Sequence, residues 1–321
     1  MIRSLRWLAF AAVLAPALSV AQDGYPARTV RIIVPYPAAT PPDVLARIAA
    51  QRLNEAWGTP VIVEVRDGAA GTIGTTQVAK STPDGHTLLF TPDFPIVMSP
   101  AIGKTQYDAR KDFAPIAAVA QGVSLLAVNP QLGINSVKDL VAAAKANPGK
   151  LTFGSSGQAS ASYMCIQLLK RAAGIDLTEI PYKGAAPAIQ ATMTGEISMY
   201  CSPSFQALPQ VRSGKLKALG TLGPRPSPLS PDIPSIAEQG MPDVVVSTWY
   251  GLFAPAGTPA AVLEKIRAGV KSAFDDPQVR QRLASAGLES IWLDGAEFRK
   301  TIDSDLAKWT KLAQDAGIRS N

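Results

Sequence analysis

RIIVPYPAATPPDVLARIAA (residues 31–50) decides how this chain folds. The apolar run over 30–34 predicts a buried strand, and apolar residues at helical spacing predict a helix over 43–57. Pro35, Pro37, Pro41 and Pro42 stand between them. Proline fits turns and the first turn of a helix, where its missing N–H goes unused. The stretch therefore reads as strand, stiff short loop, and helix with its N-terminus held in the open.

The same alternation continues outward. Strands are expected at 60–65, 87–90, 125–128, 151–154, 177–182, 197–201, 217–222 and 244–250. Helices are expected up to Lys80, at 137–146, 160–173, 187–194 and 207–213, then at 260–274, 277–286 and 295–316. Such alternation predicts an α/β architecture of parallel sheets covered by helices on both faces. Residues 224–231 (PRPSPLSP) read as a stiff connector.

Composition narrows the function. The chain has 321 residues and a formal charge of +6. Its first 21 residues carry Arg3 and Arg6, a short apolar core and a small-residue end at Ala21, the pattern of a cleaved export signal. The apolar core is too short to span a bilayer. About 300 residues remain, two domains by length, with the charge reduced by two. Basic residues are scattered without aromatic interleaving, which argues against nucleic acid. A single histidine, His86, leaves no histidine-based metal site, and no cofactor is expected. Cys165 and Cys201 would share an oxidising compartment and could pair, but their spacing neither supports nor forbids it.

Two loops carry the first candidate site: 35–42 after the first strand, and 67–74 (DGAAGTIG) after the second. Ligands of open α/β sheets bind beyond the C-terminal strand ends, where helix N-termini offer unpaired N–H groups and partial positive charge. Tyr36, Pro37, Ala38, Ala39, Thr40 and Asp43 on one side, and Ala70, Gly71 and Thr72 on the other, are the candidate anion cradle. The glycine spacing is not GxGxxG, so a dinucleotide is not implied. Gly71 is expected to tolerate a β-branched substitution in the fold while losing ligand.

Further candidates lie along the chain. Asp93, after the third strand, reads either as a turn cap or as a partner for a ligand hydroxyl or cation, and Phe94 as core or a stacking face. Ser156, Gln158 and Ser160 could meet a ligand's far end, with Ser160 equally suited to helix capping. Lys183 could charge the rim. No GxSxG supports an exported hydrolase.

Eight ordered motifs then carry a resemblance: RIIVPYPAATPPDVLARIAAQRL, PVIVEVRDGAAGTIGTTQVAKSTPDGHTLLF, YDARKDFAPIA, KLTFGSSGQASASY, IPYKGAAPAI, SGKLKALGTL, PDIPSIAEQGMPD and WYGLFAPAGTP. Together, over 25–318, the chain resembles the Bug family, periplasmic receptors of tripartite tricarboxylate transporters. The resemblance implies a type II periplasmic-binding-protein fold: two lobes with central mixed, mostly parallel sheets and a hinge. Lobe one would comprise 25–122 plus 250–321, and lobe two 123–249. It also implies a small carboxylate ligand, membrane transporter subunits as partners, a monomer and no reaction; a sensory role is the alternative. In the family the two early loops usually read PAGG and NRPGAGG and hold the carboxylate partly through water; here Ala39 and Thr40 replace two glycines. Amino-acid-binding relatives place an aspartate where Ser202 stands, which disfavours an ordinary amino acid unless Asp93 takes its part.

Overall fold

The computed structural model describes residues 24–156 and 160–318. The expected export signal and Gln158 lie outside them. In chain order the first elements are β1 (Val30–Val34), α1 (Pro41–Trp57), β2 (Val61–Val65), α2 (Thr72–Ala79), β3 (Thr87–Pro92), α3 (Ser99–Ile102) and β4 (Phe113–Val128). Next come α4 (Val137–Ala146), β5 (Thr152–Ser155), α5 (Ala161–Ala173), β6 (Thr178–Pro181), α6 (Ala185–Thr194), β7 (Met199–Pro203), α7 (Ser204–Arg212) and β8 (Lys217–Thr221). β9 (Ser247–Pro255), α8 (Ala260–Asp275), α9 (Pro277–Ser285), β10 (Glu289–Asp294) and α10 (Gly295–Asp315) complete the described chain. The α/β layering is the one the alternating pattern implies, but the sheet is mixed, with antiparallel pairings at its centre where the pattern alone predicts parallel ones.

β1 lies between β2 and β3 with both pairings parallel, and Val30, Ile32, Ile33 and Val34 are fully buried. That explains the unbroken apolar run, since a strand covered on both faces has no polar side. β5 pairs in parallel with β6 and β7 in the other half. The halves are joined through β4, whose pairings are all antiparallel. Phe113 to Val123 run against β9, and Ser124 to Val128 against β7.

β4 is 16 residues long, where the sequence predicts only its last four. Pro115 hides the rest, because proline is excluded from regular ladders. The structure accommodates it at a register shift between Pro115 and Ala117, a local bulge. β9 likewise starts at Ser247 and runs through the Gly251 position, where an added Cβ would fall 2.4 Å from the Phe298 ring. The bare backbone there lets α10 seat Phe298 against Trp249 and Phe253. The strand β10 and the wide π-helical turn over Phe94–Met98 are absent from the sequence reading. The 224–231 connector is pinned rather than simply extended: Ser227 is buried and its hydroxyl donates to Glu289.

Cys165 on α5 and Cys201 on β7 form a disulfide, closing the question left open by their spacing. The bridge ties α5 to β7. A cross-link of separation 36 restricts the unfolded chain by about 3 to 4 kcal/mol. Urea unfolding of Cys165→Ala/Cys201→Ala should show a loss of that order, and a reductant should reproduce it in the parent protein.

Candidate functional site

A cavity of about 430 Å³ opens where the first three strand-to-helix loops of one half meet the start of α5 in the other. That volume suits a small organic molecule. From the first loop and α1 come Tyr36, Thr40, Pro41 and Pro42; from the second loop, Ala70; from beyond β3, Asp93, Phe94 and Met98. Ala161 of α5, Val246, Thr248 and Tyr250 at the second crossing, and Trp309 of α10 close the wall. The two early loops do converge: the Tyr36 hydroxyl donates to the Ala70 carbonyl at 3.2 Å.

The helix end on the α1 side differs from expectation. α1 begins at Pro41 rather than Asp43, so its first two positions are prolines that carry no N–H. Val44 N is already spent on the Thr40 carbonyl at 3.0 Å. Proline rings therefore line the cavity where a row of amide donors was expected. The Thr40 hydroxyl is not free for a ligand either, since it donates to the Pro37 carbonyl at 2.6 Å.

Asp43 also falls outside the lining. It is 2 % exposed, accepts from Ala39 N at 2.9 Å and from Arg47 Nε at 3.0 Å, and faces Arg47 Nη2 at 3.0 Å. Its work is to hold the loop, in which Ala39 adopts a left-handed φ of 62°. Ala69 and Ala70 are left-handed as well, at 45° and 51°. Each such alanine stores roughly 1 to 2 kcal/mol, and strain of this kind persists where surrounding contacts over-determine the backbone. Pro37, Ala38 and Ala39 are exposed beside the cavity rather than on its wall, and Thr72 is half-buried with its hydroxyl donating to Ala69 at 2.9 Å.

Gly71 is buried with φ 91°, and a Cβ there would meet Pro95 at 2.7 Å and the Tyr36 ring at 3.1 Å. The expectation of a ligand-only lesion is thereby corrected, because the space belongs to Tyr36 and Pro95.

Asp93 is half-buried on the cavity wall. Loss of water pushes its pKa up to about 8; the charge of Asp305 adds to this, while Lys308 and the backbone N–H groups of Asp93 and Phe94 oppose it. Burial first, and Asp93 second, push the phenols of Tyr36 and Tyr250 up, which puts all three in one electrostatic neighbourhood. Phe94 does both jobs foreseen for it, packing on the core and facing the cavity.

The far half contributes less than expected. Ser160 is the N-cap of α5, accepting from Tyr163 N at 3.2 Å, and Ser156 is exposed with its N–H directed at Ser160 and Ser162. Lys183 is exposed outside the lining. Ser202 is 1 % exposed and donates to the Pro203 carbonyl at 2.9 Å, so it turns away from the cavity. Pro92, Met98, Ala161, Val246, Thr248, Tyr250 and Trp309 are the lining residues that sequence reasoning passed over. Trp309 does obey its helical packing pattern, being 4 % exposed, yet also reaches the wall. Tyr250 lies inside the WYGLFAP motif, the one signal that pointed to it.

The matching family model is the tripartite tricarboxylate transporter family receptor, over residues 45–318. The chain is 31% identical over 315 residues to protein BugT of Bordetella pertussis, covering 98% of this chain and 96% of that one. Among solved structures, Rpa4515 of R. palustris with adipate is 28% identical with a TM-score of 0.73, covering 92% and 99% of the two chains. A TctC solute-binding protein from Polaromonas, solved with no ligand, is 26% identical with a TM-score of 0.84, covering 91% and 99%. The fold and its cleft are those of solute-binding proteins, receptors rather than enzymes. The chain belongs to the tripartite tricarboxylate transporter receptor family.

Two substitutions probe this geometry. Gly71→Val should cost about 2 to 4 kcal/mol in denaturant unfolding, from overpacking and a disfavoured φ. A carboxyl with its folded pKa above its unfolded value holds the proton more tightly when folded, so Asp93 lowers stability as pH rises from about 4 to about 8. Without ligand, Asp93→Asn should therefore raise the melting temperature over the parent by more at about pH 8.5 than at about pH 5.

Proposed function

We propose that this chain is an exported receptor that captures a small carboxylate between two lobes and presents it to a tripartite tricarboxylate-type membrane transporter. The observation that carries the reading is the cavity itself, walled by loops of one half and by Ala161 at the start of α5 in the other. The α5 N-terminus brings partial positive charge that suits a carboxylate, and among the described residues the Ser160 hydroxyl caps it through the Tyr163 amide. Family membership supports the ligand class, as does the adipate held by the R. palustris relative.

Lobe one is assigned to residues 25–122 plus 250–321 and lobe two to 123–249. The register supports this division, because β4 changes partner from β9 to β7 between Val123 and Ser124. Only two chain crossings are then needed near the cavity, a suitable hinge for closure. The likeness to the unliganded Polaromonas protein exceeds that to the adipate-bound one despite lower identity, an ordering that lobe opening would produce. The export signal, ending near Ala21, directs the chain to the periplasm. It acts there as a monomer without cofactor.

A thermal-shift panel tests the ligand class. Short organic acids should raise the melting temperature, with about 2.7 kcal/mol added at a hundredfold excess over Kd, and the methyl esters of the same acids should not. Equal shifts from the esters would remove the carboxylate from the reading. Closure should appear in small-angle scattering as a smaller radius of gyration with the acid bound.

A further inference from the structure

The cavity wall is poorly built for a ligand that is negative at both ends. No arginine or lysine lines it among the described residues; its polar side chains are hydroxyls and the single carboxylate of Asp93. Asp93 makes no ion pair with any described residue. The cation whose charge it feels, Lys308, is engaged elsewhere: it sits 3.0 Å from Asp305, donates to the Val245 carbonyl at 3.3 Å and lies 4.7 Å above the Trp309 ring. Pro41 and Pro42 remove amide donors from the same region. What the wall does offer beside Asp93 is aromatic surface, from Tyr36, Phe94, Tyr250 and Trp309.

A carboxylate withdrawn from water demands a counter-charge, and aromatic faces attract cations most strongly where water is excluded. We propose that Asp93 and its aromatic surround form a seat for a cationic nitrogen, an ammonium or alkylated ammonium, so that the ligand is a zwitterion. This rests on the carboxylate-receptor reading, and it assigns the other end of the same molecule. The ligand's carboxylate meets the α5 end and the second loop, while its cation replaces the counter-charge that Asp93 lacks. A second carboxylate at that place would meet like charge. Ser202, buried and bonded to Pro203, plays no part in this, so charge selection moves from the far half to the loop after β3.

The test is calorimetry on the mature protein at about pH 9, where Asp93 is ionised, with matched probes: 6-aminohexanoate, 4-(trimethylammonio)butanoate, adipate and hexanoate. The two cationic acids should bind at least about tenfold more tightly than adipate. Asp93→Asn should cut their affinity by about tenfold or more and leave hexanoate within about twofold. The wild-type ranking decides the matter even if that variant folds poorly. A pH series adds a second readout. The groups facing Asp93 are Tyr36, Tyr250, Asp305 and Lys308; both phenols stay neutral, and Asp305 lies 3.0 Å from Lys308. Affinity for the trimethylammonium acid should then fall as pH is lowered through about 8, as Asp93 takes up its proton. Adipate binding more tightly than the cationic acids, and tightening on acidification, would make Asp93 a protonated donor and overturn the cation seat while keeping the carboxylate receptor. Binding of none of the four acids would overturn both.

Discussion

The antiparallel pairing of β4 with β9 is the constraint on which the rest depends. From Phe113 against Pro255 to Val123 against Ser247, these strands share one continuous register, broken only at two bulges. β3 and β10 pair with one end of this ribbon, and β7 and β8 with the other. The ribbon also carries Thr248 and Tyr250 to the cavity, with Val246 just before β9. Its pairing determines both how the halves meet and what they enclose. The β10 carboxylate of Glu289 reinforces the junction, accepting from Gln121 at 2.7 Å on β4 and from Ser227 in the proline-rich connector.

Within that frame, local backbone chemistry sets the character of the pocket. Prolines at the start of α1 trade amide donors for apolar surface, and three left-handed alanines shape the loops that rim it. Asp43, deep beneath the first loop, stabilises that shape from below through Ala39 N and Arg47. The cavity is thus shaped by strained but well-supported backbone, and the one carboxyl among its described lining residues is left in a poorly hydrated place. Enclosure raises the energetic weight of that group, because charge is costlier where water cannot reach it.

Much of the local structure was legible because it is governed by short-range rules. Apolar runs and helical spacing gave away β1, α1 and α4, and Ser160 announced itself as an N-cap. The convergence of the first two loops followed from their shared position after adjacent parallel strands. Less legible was anything that depended on exception. Pro115 concealed three-quarters of β4, since only a bulge compensated by neighbouring strands admits it. Asp43 and Ser202 have the chemistry of ligand contacts, but their hydrogen bonds are spent within the protein, on Ala39 N and Arg47 and on the Pro203 carbonyl.

The sequence by itself determined the α/β architecture, the placement of the crossover loops and, through its ordered motifs, the receptor family. Periodicity, proline and glycine act over a few residues, and that range suffices for such decisions. Only the tertiary structure decided that Cys165 meets Cys201, that Thr248, Tyr250 and Trp309 reach the cavity, and that Asp93 faces it while Ser202 turns away. Those outcomes join residues far apart in the chain. They depend on the angle and register at which elements pack, and no local pattern of side chains records that.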